Sequence, residues 1–129
     1  MKYVISDLHG MYDLYRKMID RLALKEEDTL YVLGDIFDRG PRPDLIMEEL
    51  MRFNGVDIEW GNHDIIWMAA ASGHLASIAT VIRLSTIYGN LATLEEGYGI
   101  NLVPLVTYAI KTYKGSDCRP FSIRSGEDY

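Results

Sequence analysis

The sequence predicts an α/β protein in which a βαβαβ unit with a parallel sheet is followed by further helices. Two short apolar runs, at residues 3–5 and 30–33, and an alternating apolar and polar run at 56–60 indicate strands. Apolar residues recur at helical spacing in the two stretches between these runs. Strands that alternate with helices favour a parallel sheet with right-handed crossovers, and such sheets bind ligands at the carboxyl ends of their strands.

The two helices between the strands have recognisable limits. Helical spacing runs from Met11 to Leu22 after the first strand. A second helix is expected to begin near Pro43, a residue that suits the first helical turn. Gly55 suits the C-terminal cap of that helix.

The remainder of the chain reads as helical. Residues 65–88 predict one long helix or two, and residues 91–96 a further helical turn. A weaker helical pattern at 101–113 is expected to be interrupted by Pro104. We expect one domain over residues 1–113 and a polar, flexible tail over 114–129.

Composition excludes several classes of protein. The chain has 129 residues, enough for one domain, with 13 basic and 19 acidic residues and a net charge of −6. An acidic chain lacks the excess of basic residues expected of a nucleic-acid binder, and it is repelled by anionic membranes. The single cysteine, Cys118, excludes an internal disulfide and favours a reducing, cytoplasmic location. Residues 65–82 lack charged side chains, but their Ala, Ser, Gly and Thr content favours a buried core helix over a membrane span.

Each predicted strand is followed by a polar cluster. The clusters are SDLHG at 6–10, GDIFDRG at 34–40 and GNHD at 61–64. Asp7 and Asp35 are 28 residues apart, and Asp35 and Asn62 are 27 apart, which is about one strand–helix–strand period. The three side chains are therefore expected to meet at one sheet edge. Their oxygen ligands, with nearby imidazoles, suit Mn, Fe, Zn or Mg ions.

The three clusters together resemble those of the calcineurin-like metallophosphoesterases. The resemblance implies two divalent ions, expected to be Mn²⁺, with Fe, Zn or Mg as other options. It assigns Asp7 and His9 to the first ion, Asp35 to a bridging position and Asn62 to the second ion. It covers residues 1–113 and implies the N-terminal βαβαβ half of a sandwich fold, a partial metallophosphoesterase domain.

The same resemblance assigns the remaining polar side chains of the clusters. His63 is expected to protonate the leaving group or stabilise the transition state, with Asp64 orienting its ring. Arg39 is expected to contact the phosphate of the substrate through its planar guanidinium. Asp38 is expected to support the loop.

Two branches of the superfamily compete. Residues 34–109 look like class III fructose-1,6-bisphosphatase, above all in the Ala-rich helix after Trp67 and the GYGINL run at 97–102. This implies hydrolysis of fructose 1,6-bisphosphate to fructose 6-phosphate in gluconeogenesis. The first 50 residues, with their short linker, look like bacterial serine/threonine protein phosphatases, which implies a phosphoprotein substrate instead.

The resemblance also implies something that this sequence lacks. The family uses further metal-ligand histidines from the second half of the sandwich, and only His74 remains unassigned here. Its position within the helical stretch argues against a ligand role, and we expect a core or interface histidine. A third hypothesis is therefore an inactive fragment, or a subunit that needs a partner to complete the metal site. The expected partners are a phosphorylated small molecule and either a second copy of the chain or the missing C-terminal half.

Overall fold

The computed structural model describes residues 1–117 and confirms the α/β class. In this part of the chain, three parallel strands lie in the order β1 (Lys2–Ile5), β2 (Thr29–Leu33) and β3 (Val56–Glu59). Tyr3 pairs with Leu30, which in turn pairs with Val56, so alternate residues of all three strands share a face.

One face of the sheet carries the core. Helices α1 (Tyr12–Leu22) and α2 (Pro43–Arg52) cover this face. The core combines residues of the strands, of both helices and of the loops that follow β1 and β2: Leu8, Tyr15, Leu30, Val32, Ile36, Ile46 and Leu50. Because these loops contribute Leu8 and Ile36, the core anchors the strand ends that carry the predicted site.

The opposite sheet face is open in the described part of the chain. Val4 and Leu33 point to this face and are 61% and 50% exposed. Half of a sandwich fold would leave one sheet face uncovered in this way, and here that face also carries Lys2, Asp57 and Glu59.

The long helical pattern after β3 forms two helices. Helix α3 (Asn62–Ala71) begins three residues before the predicted start, so GNHD continues into a helix. Helix α4 (Leu75–Ile87) follows a break in which Gly73 adopts φ +90°. His74 is exposed at this break, so the expected core position is wrong for the described chain, and an interface position stays a prediction. The expected buried core helix over residues 65–82 is likewise a broken and partly exposed pair of helices.

Two local expectations are wrong. Helix α2 ends at Arg52 with Phe53 as its cap, so Gly55 does not cap it. Pro104 does not interrupt helix α5 (Val103–Tyr113), because it lies in the first turn, where no N–H bond is lost. The helical turn expected at 91–96 is present, and its larger part, Thr93–Gly97, is π-helical.

The last part of the described chain is largely exposed. Helix α5 buries none of its residues, and Val103, Tyr108 and Ile110 are each more than 60% exposed. No helix within residues 1–117 is long and apolar enough to cross a membrane. The predicted tail begins at Lys114, and Cys118 and the residues after it lie outside the described residues.

Candidate metal centre

The loops after β1 and β2 are joined by backbone hydrogen bonds. The amide of Asp7 donates to the carbonyl of Gly34 at 3.2 Å, and the amide of His9 donates to that of Asp35 at 2.8 Å. The amide of Gly10 donates to the carbonyl of Ile36 at 2.7 Å. This ladder extends the β1–β2 pairing beyond the strands and brings the first two polar clusters together.

Three predicted ligands meet at this edge. Ligand atoms of Asp7, His9 and Asp35 all lie within 4.8 Å of one another. The Nδ1 atom of His9 lies 3.1 Å from the carbonyl oxygen of Phe37. If Nδ1 carries the proton and donates it to that carbonyl, the lone pair of Nε2 is left free, which is the tautomer that a metal ligand needs. Two carboxylates and one oriented imidazole therefore fit a divalent ion.

The backbone of the site is strained. Asp7, His9 and Asp35 have φ values of 53°, 43° and 50°, in the left-handed region that non-glycine residues rarely adopt. Asp38 and Arg39 have φ values of 67° and 69°. Such conformations cost about 1–3 kcal/mol each and cluster at functional sites. The strain therefore falls on five of the eight residues that the sequence motifs single out, and on Ala23 outside them.

The N-terminus of α3 closes over Asp35. The amide of His63 donates to Oδ1 of Asp35 at 3.1 Å. A Cβ atom at Gly61 would collide with the side chain and amide of Asp35, so only glycine fits there. Asn62 lies between Gly61 and His63 in the sequence and is the first residue of α3. It is exposed.

His63 is oriented by Asp38 and not by Asp64, which corrects the sequence-based expectation. Its Nδ1 atom lies 2.7 Å from Oδ2 of Asp38, a side chain that is 1% exposed. The other oxygen of Asp38 accepts a hydrogen bond from Nε1 of Trp67 at 2.9 Å. The rings of His9 and His63 meet edge to face with centroids 5.3 Å apart, so the imidazole held by Asp38 borders the ligand cluster.

Asp64 has a different task. It is buried, and its Oδ1 accepts N–H bonds from Ile36 at 2.9 Å and Phe37 at 3.3 Å. Its Oδ2 accepts the amide of Gly61 at 2.9 Å, as an acidic third helical residue often does. The carboxylate thus fastens the loop after β2 to the start of α3.

The segment after α4 braces the loop that carries Arg39. The side-chain amide of Asn90 donates to the carbonyl of Arg39, whose own side chain is exposed. The hydroxyl of Thr93 donates to the carbonyl of Pro41 at 2.6 Å. These contacts hold the backbone of Arg39 and leave its guanidinium accessible.

An ion pair between an exposed arginine and a buried aspartate follows this loop. The guanidinium of Arg42 bonds both oxygens of Asp44, with Nη2 2.6 Å from Oδ2, and Asp44 is buried. Hydrogen bonding to Arg42 lowers the pKa of the Asp44 carboxyl. The pair links the N-cap residue of α2, at the end of the loop after β2, to the first turn of that helix.

Sequence reasoning missed the contact of Asp38 with His63 and the part played by Trp67. Helical spacing could have revealed the second, because His63 and Trp67 are one turn apart in α3 and share a face. This spacing becomes apparent only once α3 is known to begin at Asn62, within GNHD.

Comparison with known proteins agrees with this geometry. The profile of the Firmicute fructose-1,6-bisphosphatase family matches residues 16–129. The class 3 fructose-1,6-bisphosphatase of Alkaliphilus metalliredigens is 51% identical over 112 residues, and that of Clostridium acetobutylicum 52% over 115. These matches cover 87% and 88% of this chain but 16% and 17% of the relatives. The chain thus spans about one sixth of the length of the curated relatives it matches.

A solved structure extends the likeness to three dimensions. It is described as "a putative diadenosine tetraphosphatase" and is 26% identical, with a TM-score of 0.50. The match covers 60% of this chain and 35% of the other. More than half of this chain thus has a counterpart of similar fold in a solved structure.

Proposed function

Because this chain belongs to the Firmicute fructose-1,6-bisphosphatase family, we propose that it supplies the metal-binding part of a cytoplasmic phosphomonoesterase acting on fructose 1,6-bisphosphate. The observation that carries this proposal is the convergence of Asp7, His9 and Asp35 within 4.8 Å at the carboxyl edge of a parallel sheet. The names of the relatives support the choice of substrate.

The residues present fit a divalent metal centre. We assign Asp7, His9 and Asp35 to one ion, and Asp35 with Asn62 to a second, with Mn²⁺ as the preferred metal. The orientation of His9 supports this assignment, since its Nδ1 atom faces a carbonyl and its Nε2 atom lies 3.9 Å from Oδ1 of Asp7. When bound, two such ions activate water and neutralise charge on the phosphoryl group.

Two further side chains complete the proposed chemistry. His63 holds Nδ1 toward Asp38, so its Nε2 atom is available to give a proton to the leaving sugar oxygen. The exposed guanidinium of Arg39 is available to bind phosphate oxygens through its planar fork. Asp64 takes no part in this chemistry and supports the loop.

The chain length bears on whether the activity is self-contained. The match covers only 16% of the first relative, and one face of the sheet is open in the described residues. We propose that full activity uses a further polypeptide segment, equivalent to the remainder of the relatives, to complete the ligand sets of the two ions.

Phosphate release tests the proposal. Purified chain is incubated with Mn²⁺ and either fructose 1,6-bisphosphate or a phosphoserine peptide, with Asp35→Asn as the matched control. The expected result is phosphate release from the sugar bisphosphate and not from the peptide. This release should be lost in Asp35→Asn. Release from the peptide alone would support the protein phosphatase reading. No release above Asp35→Asn would reject activity of the chain by itself.

A further inference from the structure

Trp67 contacts the residue that orients His63. Its indole Nε1 donates to Oδ1 of Asp38 at 2.9 Å, while Oδ2 of the same carboxylate lies 2.7 Å from Nδ1 of His63. The side chain of Asp38 is 1% exposed. Both oxygens of a buried carboxylate are therefore used, one toward the imidazole and one toward the indole.

The indole is itself held in place. Its ring stacks on Phe37 with centroids 4.8 Å apart and an interplanar angle of 23°. Tyr98 contacts it at a centroid distance of 5.6 Å. Helix α3 places His63 and Trp67 one turn apart on the same face, so both reach Asp38 from one rigid element.

We propose that Trp67 is a positioning residue that fixes the ring of His63 through Asp38. A carboxylate with a single donor rotates about its terminal bond, which is a broad torsion. The second donor, on the opposite oxygen, removes that freedom and so fixes the direction in which the His63 ring presents Nε2. The kinetic consequence rests on the proposed catalytic role of His63, whereas the structural consequence does not.

The test removes the indole N–H and keeps the shape of the ring. In a Trp60→Phe background, Trp67 is replaced by 3-benzothienylalanine, in which sulfur takes the place of the N–H group. Trp67→Phe is a second variant, and Tyr98→Leu is the control that removes a ring contact without touching Asp38. The readout in the metal-free full chain is the NOE between the rings of His9 and His63, which are in contact.

Loss of this NOE in both Trp67 variants, and its retention in Tyr98→Leu, is the expected result. In the Mn²⁺-loaded chain, the Trp67 variants are expected to lower kcat about tenfold, as changes in outer-shell partners do, and to leave KM unchanged. An unchanged NOE in the benzothienylalanine variant would overturn the proposal. If the unaltered chain releases no phosphate, activity of the chain by itself is rejected, and the NOE still decides the role of Trp67.

Discussion

Oδ2 of Asp38 lies 2.7 Å from Nδ1 of His63, whereas the carboxylate of Asp64, the next residue after His63, accepts three backbone N–H bonds. The two acids therefore have separable tasks. Asp38 orients an imidazole, and Asp64 fastens a loop to a helix. The first task is expected to affect catalysis and the second to affect stability.

Asp38→Asn is expected to lower kcat of the Mn²⁺-loaded chain by about 10²–10⁴-fold, because the amide cannot hold His63 in the required tautomer. Steady-state phosphate release measures the change. Asp13→Asn, at an exposed position of α1, is the control and should retain activity. Equal activity of the two variants would contradict the assignment of Asp38.

Asp64→Asn is expected to lower the free energy of unfolding by about 2–3 kcal/mol, since the new NH₂ group cannot accept the amide of Gly61. Urea denaturation followed by circular dichroism measures this loss. A variant that is as stable as the original chain, but has lost its activity, would restore a catalytic role for Asp64.

Gly61→Ala is expected to lower the free energy of unfolding by about 3 kcal/mol and to weaken Mn²⁺ binding, because the added methyl group collides with Asp35. Gly89→Ala is the matched control. Gly89 has φ +68° in open space, so its substitution brings only conformational strain of about 1–2 kcal/mol. If both variants bind Mn²⁺ like the original chain, the close approach of α3 to Asp35 is not required for binding.

Arg42→Gln is expected to move acid unfolding to higher pH. Arg42 holds the pKa of Asp44 below its unfolded value of about 3.9. A depressed pKa contributes stability above that value, and this stability is lost as the pH falls through the folded-state pKa. Without the guanidinium, burial raises the pKa of Asp44, so the loss of folding stability begins at a higher pH.

Circular dichroism during acid titration measures the effect of Arg42→Gln. Arg52→Gln is the control, because Arg52 and Glu48 form an exposed pair at 3.4 Å, which contributes little. Coincident acid transitions for the two variants would show that the Asp44 pair does not govern acid stability.

The strands and the meeting of Asp7 with Asp35 were predictable because both follow from local rules. The spacing of apolar residues and the presence of β-branched side chains locate the strands. Parallel pairing then brings the carboxyl ends of the strands to one edge of the sheet. The partner of His63 was not predictable in the same way. Asp64 was favoured because it follows His63 in the sequence. Successive residues of a helix, however, point about 100° apart. The carboxylate of Asp64 instead accepts hydrogen bonds from the backbone amides of Ile36 and Gly61.

Pro104 and Gly55 show a second limit of local rules. Pro104 would break a helix only beyond its first turn, and α5 starts at Val103, next to Leu102, which packs with Val81 and Leu94. Gly55 makes a close backbone approach to Asp28 in place of a helix cap. Both outcomes depend on tertiary contacts that the local pattern does not contain.

Calorimetric titration of the chain with Mn²⁺ tests the central claim most directly. The account predicts saturable binding that is lost in Asp35→Asn and retained in Asp57→Asn, an exposed carboxylate on β3. Identical heats for the unaltered chain and Asp35→Asn would contradict a metal centre built on Asp7, His9 and Asp35.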